Sequence, residues 1–252
     1  MIARDVSSDV EPRPAHPVLR FLADTLSAGN LVCGLLSICF ALAGRYELSL
    51  GALLLGAVLD GLDGLAARRF GGTRIGVYAD DVADGVNYGI APGVALACAL
   101  EGDAGTFIGA FFAVFTVSRL VYFTLVVDAG DPRFFPGVPS TIGGLMALSS
   151  ILVFEHQPAL IGLTVGVACA QMVSFKTHYR HLGRALASRE MPRRVAAVGF
   201  AVLVLGELVF GVQGASAIIL LASFVYGLLP SILGFQAALR ARRDDIDQTS
   251  SR

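Results

Sequence analysis

The chain has 252 residues, of which 55% are hydrophobic and only 15% charged, and its net charge is −1. That balance excludes an ordinary soluble domain, and basic residues scattered along the chain exclude a nucleic-acid-binding stripe. A mean hydropathy of +0.69 fits an all-α, polytopic integral membrane protein.

In chain order, residues 1–24 read as a cytoplasmic N-terminal tail. They lack the apolar core and small-residue cleavage site of a signal peptide, and "HPVLRFLADTL" (16–26) suits a short interfacial helix. Apolar runs then predict about eight spans, near 25–44, 47–68, 76–100, 104–127, 139–154, 158–175, 194–212 and 214–237. Residues 25–237 form the transmembrane domain on this reading, and 238–252 a cytoplasmic tail without packed structure. The basic connection 176–194 suits an anionic lipid surface. Of the 19 Lys and Arg residues, 17 fall on one side of this layout, Arg45 alone falls on the other, and Arg119 lies within span four. The positive-inside rule then places both termini in the cytoplasm. Cys33, Cys39, Cys98 and Cys169 lie within apolar segments at spacings that suit neither zinc nor a disulfide framework, so they read as packing residues.

The charge is concentrated where spans two and three meet. The stretch "DGLDGLAARRFGGTRIGVYADDVAD" (60–84) carries five aspartates and three arginines. On helices, Asp60 and Asp63 share a face, as do Asp80 and Asp84, while Asp81 is offset. Both pairs flank one cytoplasmic turn, so the four can converge at one depth. Gly56, Gly64, Ala67 and Gly76 near these faces permit close approach of helices or a ligand. Four converging carboxylates repel one another and need protons or cations. An all-oxygen donor set suits Mg²⁺ or Mn²⁺, and two such ions can clamp a phosphoryl group beside Arg68 and Arg74. Pairing of the aspartates with Arg68, Arg69 and Arg74 as a loop cap is the plainer alternative, and a divalent-cation transporter is a rival of another class. Transport sites lie near the midplane on broken helices, however, whereas these aspartates sit near one face beside arginines.

The pattern Asp60-x2-Asp63-Gly64-x2-Ala67-Arg68, seven residues, Gly76-x3-Asp80-x3-Asp84 resembles the signature of the CDP-alcohol phosphatidyltransferases. The resemblance implies an active site at the cytoplasmic end of helices two and three, where the hydroxyl of an alcohol attacks a CDP-linked lipid and CMP leaves. It implies that Asp60, Asp63 and Asp80 hold the metals and that Asp84 is the general base and a further metal ligand. Gly64, Arg68 and Thr73 would contact the CDP group. It also implies a homodimer.

Three further stretches bear on the acceptor. "SAGNLVCGLLSI" (27–38) is similar to the Ser/Thr-x2-Asn-x3-Gly pattern of the phosphatidylserine synthase branch, with Ser27 and Asn30 able to bond the cytosine or ribose of CDP-diacylglycerol. "YGIAPGVAL" (88–96) is similar to a Phe-Gly-Val-Ala-Pro segment of that branch, and Pro92 predicts a kink. "FFPGVPSTIGG" (134–144) resembles a Gly-Leu-Pro-Ser-Pro motif, with Thr141 in place of the second proline. An arginine within the membrane needs an interior partner or a ligand, so Arg119 either pairs with a structural carboxylate or is a candidate for the acceptor's carboxylate or a lipid phosphate. L-serine is the expected acceptor, with glycerol 3-phosphate or an inositol phosphate as alternatives. Gln171 reads as an interhelical hydrogen bond.

Overall fold

The computed structural model describes residues 21–71, 73–126, 134–155, 157–173, 178–180 and 209–228. They form α1 (Phe21–Leu42), α2 (Tyr46–Phe70), α3 (Arg74–Asp84), a π-helical turn (Gly85–Ile90), α4 (Ala91–Leu100), α5 (Gly102–Val126), α6 (Ser140–Val153), α7 (Pro158–Met172) and α8 (Val209–Leu228). Two three-residue strands, β1 (Phe134–Pro136) and β2 (His178–Arg180), pair antiparallel. Of the interfacial helix expected at 16–26, residues 16–20 lie outside the described residues and 21–26 form the start of α1. The 176–194 connection apart from β2, most of the span expected at 194–212 and the tail 238–252 also lie outside them.

Among the described residues, four helices are long and apolar enough to cross a membrane: α1, α2, the Gly102–Leu125 part of α5, and α8. Large apolar side chains on them face outward, including Val32, Leu55, Val114 and Leu221. Outward-facing apolar faces suit lipid rather than water. The span expected at 76–100 is one helical path whose turn widens at Gly85–Ile90, between α3 and α4. The expected spans at 139–154 and 158–175 correspond to the shorter apolar helices α6 and α7.

Tight turns set the order of packing. Gly71, at φ 86°, ends α2 by donating its N–H to the Ala67 carbonyl, and Thr73 opens α3 by accepting from the Gly76 N–H at 2.9 Å. Helix α1 lies along α2 and α3, while α4 lies against α5. A Cβ at Gly93 would stand 2.6 Å from the Gly109 carbonyl oxygen, so the α4–α5 contact requires glycine there. The core joins Leu53 of α2, Tyr88 of the π turn, Leu96 of α4, Phe112 of α5, Leu148 and Ile151 of α6, and Val165 and Met172 of α7. Helix α8 adds Ile219 to this core and Leu220 to a smaller cluster with Met146 and Ala168.

The kink expected at Pro92 takes the form of the preceding π turn. Proline cannot donate to the carbonyl four residues earlier, and a wider turn accommodates the missing bond. The spared carbonyl is that of Tyr88, and α6 approaches it closely: a Cβ at Gly144 would lie 3.0 Å from that oxygen.

Candidate active site

The acidic residues come together as their spacing predicts. Asp60 and Asp63 occupy one face of α2 in its second half, and Asp80 and Asp84 one face of α3. Ligand atoms of Asp60, Asp80 and Asp84 all lie within 4.8 Å of one another. Asp63 stands beside this trio, its carboxyl in hydrogen-bonding contact with that of Asp80. Asp81 points elsewhere and accepts from Thr124 of α5 at 3.1 Å.

Each of three carboxylates is held by a neutral donor. Ser27 Oγ donates to Asp63 at 2.6 Å, Asn30 Nδ2 to Asp84 at 3.0 Å, and Tyr88 Oη to Asp60 at 3.2 Å. Ser27 and Asn30 are one helical turn apart on the buried face of α1. Their observed partners are therefore carboxylates rather than the open space a nucleotide would need to reach them. Asp80 Oδ1 is buried and has no hydrogen-bond partner among the described residues.

This donor set fits a hard divalent cation. Clustered carboxylate oxygens, one of them orphaned, repel one another unless protons or cations sit between them, and a divalent cation would satisfy several at once. Oxygen-only ligation belongs to Mg²⁺ and Mn²⁺ rather than to softer metals.

Beside the cluster, Arg68 folds back over Gly64, where a Cβ would stand 3.3 Å from Nη1. The Arg68 guanidinium attracts the Asp63 carboxylate, and the residue remains exposed. Thr73 behaves differently from a free ligand contact. Its hydroxyl donates to Asp24 at 2.8 Å and caps α3, tying α1 to that loop. The side chain of Arg74 lies outside the described residues.

Arg119 is engaged by the protein itself. Its Nε donates to the Met172 carbonyl at 2.9 Å, Nη1 to Ser140 Oγ at 2.9 Å and Nη2 to the Val138 carbonyl at 2.7 Å, with the guanidinium 4.5 Å from the Phe123 ring centre. Arginine carries five N–H donors, so these bonds leave two for another acceptor. The same "GVPST" stretch reaches the carboxylates through Thr141, whose side chain bonds Tyr88. Gln171 does pack between helices, against Gly227 of α8, although its amide atoms find no hydrogen-bond partner among the described residues.

Sequence reasoning missed three polar residues here: Asp24, Asn87 and Tyr88. The i, i+4 spacing of Asp84 and Tyr88 was a usable signal for the last, since it puts the phenol one turn from the acidic face. Asn87 carried the same kind of signal, three residues after Asp84 on a helix, and it is buried beside Tyr88 in the π turn.

The CDP-alcohol phosphatidyltransferase family model matches residues 20–177, well over half of the chain. The chain belongs to the CDP-alcohol phosphatidyltransferase family. A CDP-diacylglycerol–serine O-phosphatidyltransferase of Mycobacterium leprae is 34% identical over 151 residues, which are 54% of this chain and 50% of that protein. Its namesake in Helicobacter pylori (strain J99) is 27% identical over 155 residues, 60% of this chain and 65% of that protein. A phosphatidylcholine synthase of Borreliella burgdorferi is 24% identical over 226 residues, 85% of this chain and 94% of that protein. The chain thus spans half to two thirds of the length of the two serine-named relatives. Family membership together with four apolar helices makes this an integral membrane protein. The matched range contains α1 to α7 and all the carboxylates described above.

Proposed function

We propose that this phosphatidyltransferase moves the phosphatidyl group of CDP-diacylglycerol onto the hydroxyl of L-serine, forming phosphatidylserine and releasing CMP. The observation that carries the reading is the convergence of Asp60, Asp80 and Asp84 within 4.8 Å in a chain of this family. Asp60, Asp63, Asp80 and Asp84 would hold Mg²⁺ or Mn²⁺, two ions on the family pattern. Such ions supply neutralisation of the diphosphate and of the charge that develops on departing CMP.

The residues of the chain do the rest. Gly64 leaves room for the diphosphate, and Arg68 offers it a fork of donors. Thr73 shapes the loop beside it. Asp84 takes the proton of the acceptor hydroxyl as its oxygen attacks the phosphorus that bears the diacylglycerol. The new P–O bond forms while the bond to the bridging oxygen breaks, and CMP leaves with that electron pair. Ser27 and Asn30 orient Asp63 and Asp84. The two remaining N–H groups of Arg119 suit the serine carboxylate. The reaction belongs at the cytoplasmic ends of α2 and α3, in a homodimer with both termini cytoplasmic, a transmembrane domain over 25–237 and tails on either side.

Choline is the second acceptor to weigh, because the phosphatidylcholine synthase match covers more of this chain than the serine-named ones do. Glycerol 3-phosphate and inositol phosphate remain weaker alternatives: a phosphate calls for more than one basic group, and Arg119 already gives three bonds to the protein. Cation transport gains no support from membership in a transferase family.

The test is to incubate the purified chain with CDP-diacylglycerol and Mn²⁺ while adding L-serine, choline, glycerol 3-phosphate and inositol phosphate one at a time. CMP release that depends on serine supports the reading, and release with choline alone moves the assignment to the second acceptor. A protein that releases no CMP with any of them is not the proposed transferase.

A further inference from the structure

Asn87 lies behind the carboxylates, and its burial sets a question. It is 0% exposed, sits in the π turn, and has an amide oxygen without a hydrogen-bond partner among the described residues. An apolar side chain of the same shape would fill that space without stranding an acceptor. The compensation lies in its donor end. Asn87 Nδ2 donates to Asn30 Oδ1 at 2.8 Å and faces the Leu53 carbonyl at 3.4 Å, and Asn30 Nδ2 donates to Asp84 Oδ1 at 3.0 Å.

This chain of bonds has a direction. A primary amide accepts at one end and donates at the other, whereas a backbone carbonyl only accepts. Leu53 therefore keeps the NH₂ of Asn87 turned toward α2 and α1. Asn30 must then show its carbonyl to Asn87, which leaves its NH₂ for Asp84. Reversing either amide would set two acceptors face to face in a buried site. Close backbone packing presses on the group from two sides. A Cβ at Gly34 would stand 2.9 Å from Asn87 Cα, and one at Gly56 would overlap the amides of both Asn87 and Asn30.

We propose that Asn87 is a positioning residue, which fixes the Asn30 amide with its donor end on Asp84 and so aims the carboxylate that receives the acceptor's proton. The inference rests on the transfer reaction proposed above and adds to it a residue that touches neither substrate nor metal.

Asn87→Leu, close in shape but unable to donate, tests it in the purified full chain with CDP-diacylglycerol, Mn²⁺ and the acceptor that supports turnover. The expected result is a kcat lower by about 10–100-fold, the usual effect of removing a group that orients a ligand carboxylate, with KM for CDP-diacylglycerol nearly unchanged. Asn30→Ala should cost about as much. The double variant should be no worse than Asn30→Ala alone, because one residue works through the other. Losses that multiply in the double variant overturn the proposal, as does an Asn87→Leu protein with wild-type kcat. Should Asn87→Leu fail to fold, Gly56→Ala displaces the same amide while leaving Asn87 in place, and wild-type kcat there is equally fatal. A wild-type chain that releases no CMP sinks the transfer reading itself; an active wild type beside an equally active Asn87→Leu sinks only the role of Asn87.

Discussion

Asp60 accepts from a phenol, Asp63 from an alcohol and Asp84 from an amide. Neutral donors orient a carboxylate without cancelling its charge, so the charge stays available to a cation and, through it, to a diphosphate. Asp84→Asn keeps the shape and removes the proposed proton acceptor. Turnover should vanish while CDP-diacylglycerol binding, measured by titration in detergent, stays close to wild type; an equal loss of binding would remove Asp84 from the base role. Tyr88→Phe should lower kcat by about 10-fold or more, since Asp60 loses its donor. Chelation by EDTA should stop CMP release, and Mg²⁺ or Mn²⁺ should restore it. The acidic faces were legible in the sequence because carboxylates three and four residues apart on a helix are neighbours whatever surrounds them. The donors were less so. Ser27 and Asn30 stood out as polar residues in an apolar run, yet their partners lie on other helices, and no local spacing reveals that.

Helix boundaries follow from composition, and their irregularities follow from packing. Hydropathy located the long helices α1, α2 and α5, but it could not separate a full crossing from an apolar helix too short for one. Helices α6 and α7, with 14 and 15 residues, would rise only about 21–23 Å at about 1.5 Å per residue, less than a hydrocarbon core of about 30 Å. The π turn was also invisible, although Pro92 announced that something must give. A π turn holds one residue more than the α-helix needs. Deleting Val86 should therefore restore an α-helical path and rotate Asn87 and Tyr88 away from Asn30 and Asp60. The variant is expected to elute as a folded protein in detergent and to have lost CMP release; full activity would show that the turn has no bearing on the site. At the α4–α5 contact, Gly93→Val should destabilise the protein by about 1–3 kcal/mol, the usual cost of overpacking, read as a lower thermal midpoint.

Across the molecule, Arg119 fastens three pieces of chain: α5, which carries it, the 138–140 segment that opens α6, and the end of α7. Interhelical polar bonds within a membrane contribute about 0.6–2 kcal/mol each, and a single ammonium nitrogen does not match acceptors arranged around a planar guanidinium fork. Arg119→Lys should lower the thermal midpoint and, on the proposed reaction, raise KM for the acceptor more than KM for CDP-diacylglycerol; equal changes in both would assign Arg119 to structure alone. The sequence flagged this arginine as too costly to be idle but could not say what it held, because its partners are backbone carbonyls, which every residue has. Tyr88 links the two regions, bonded to Asp60 on one side and to Thr141 on the other. The consequence concerns ancestry. The stretch proposed to sever the pyrophosphate ends by residue 90, and the stretch proposed to greet the incoming alcohol starts at residue 119, so selection can revise the guest while inheriting the blade unaltered.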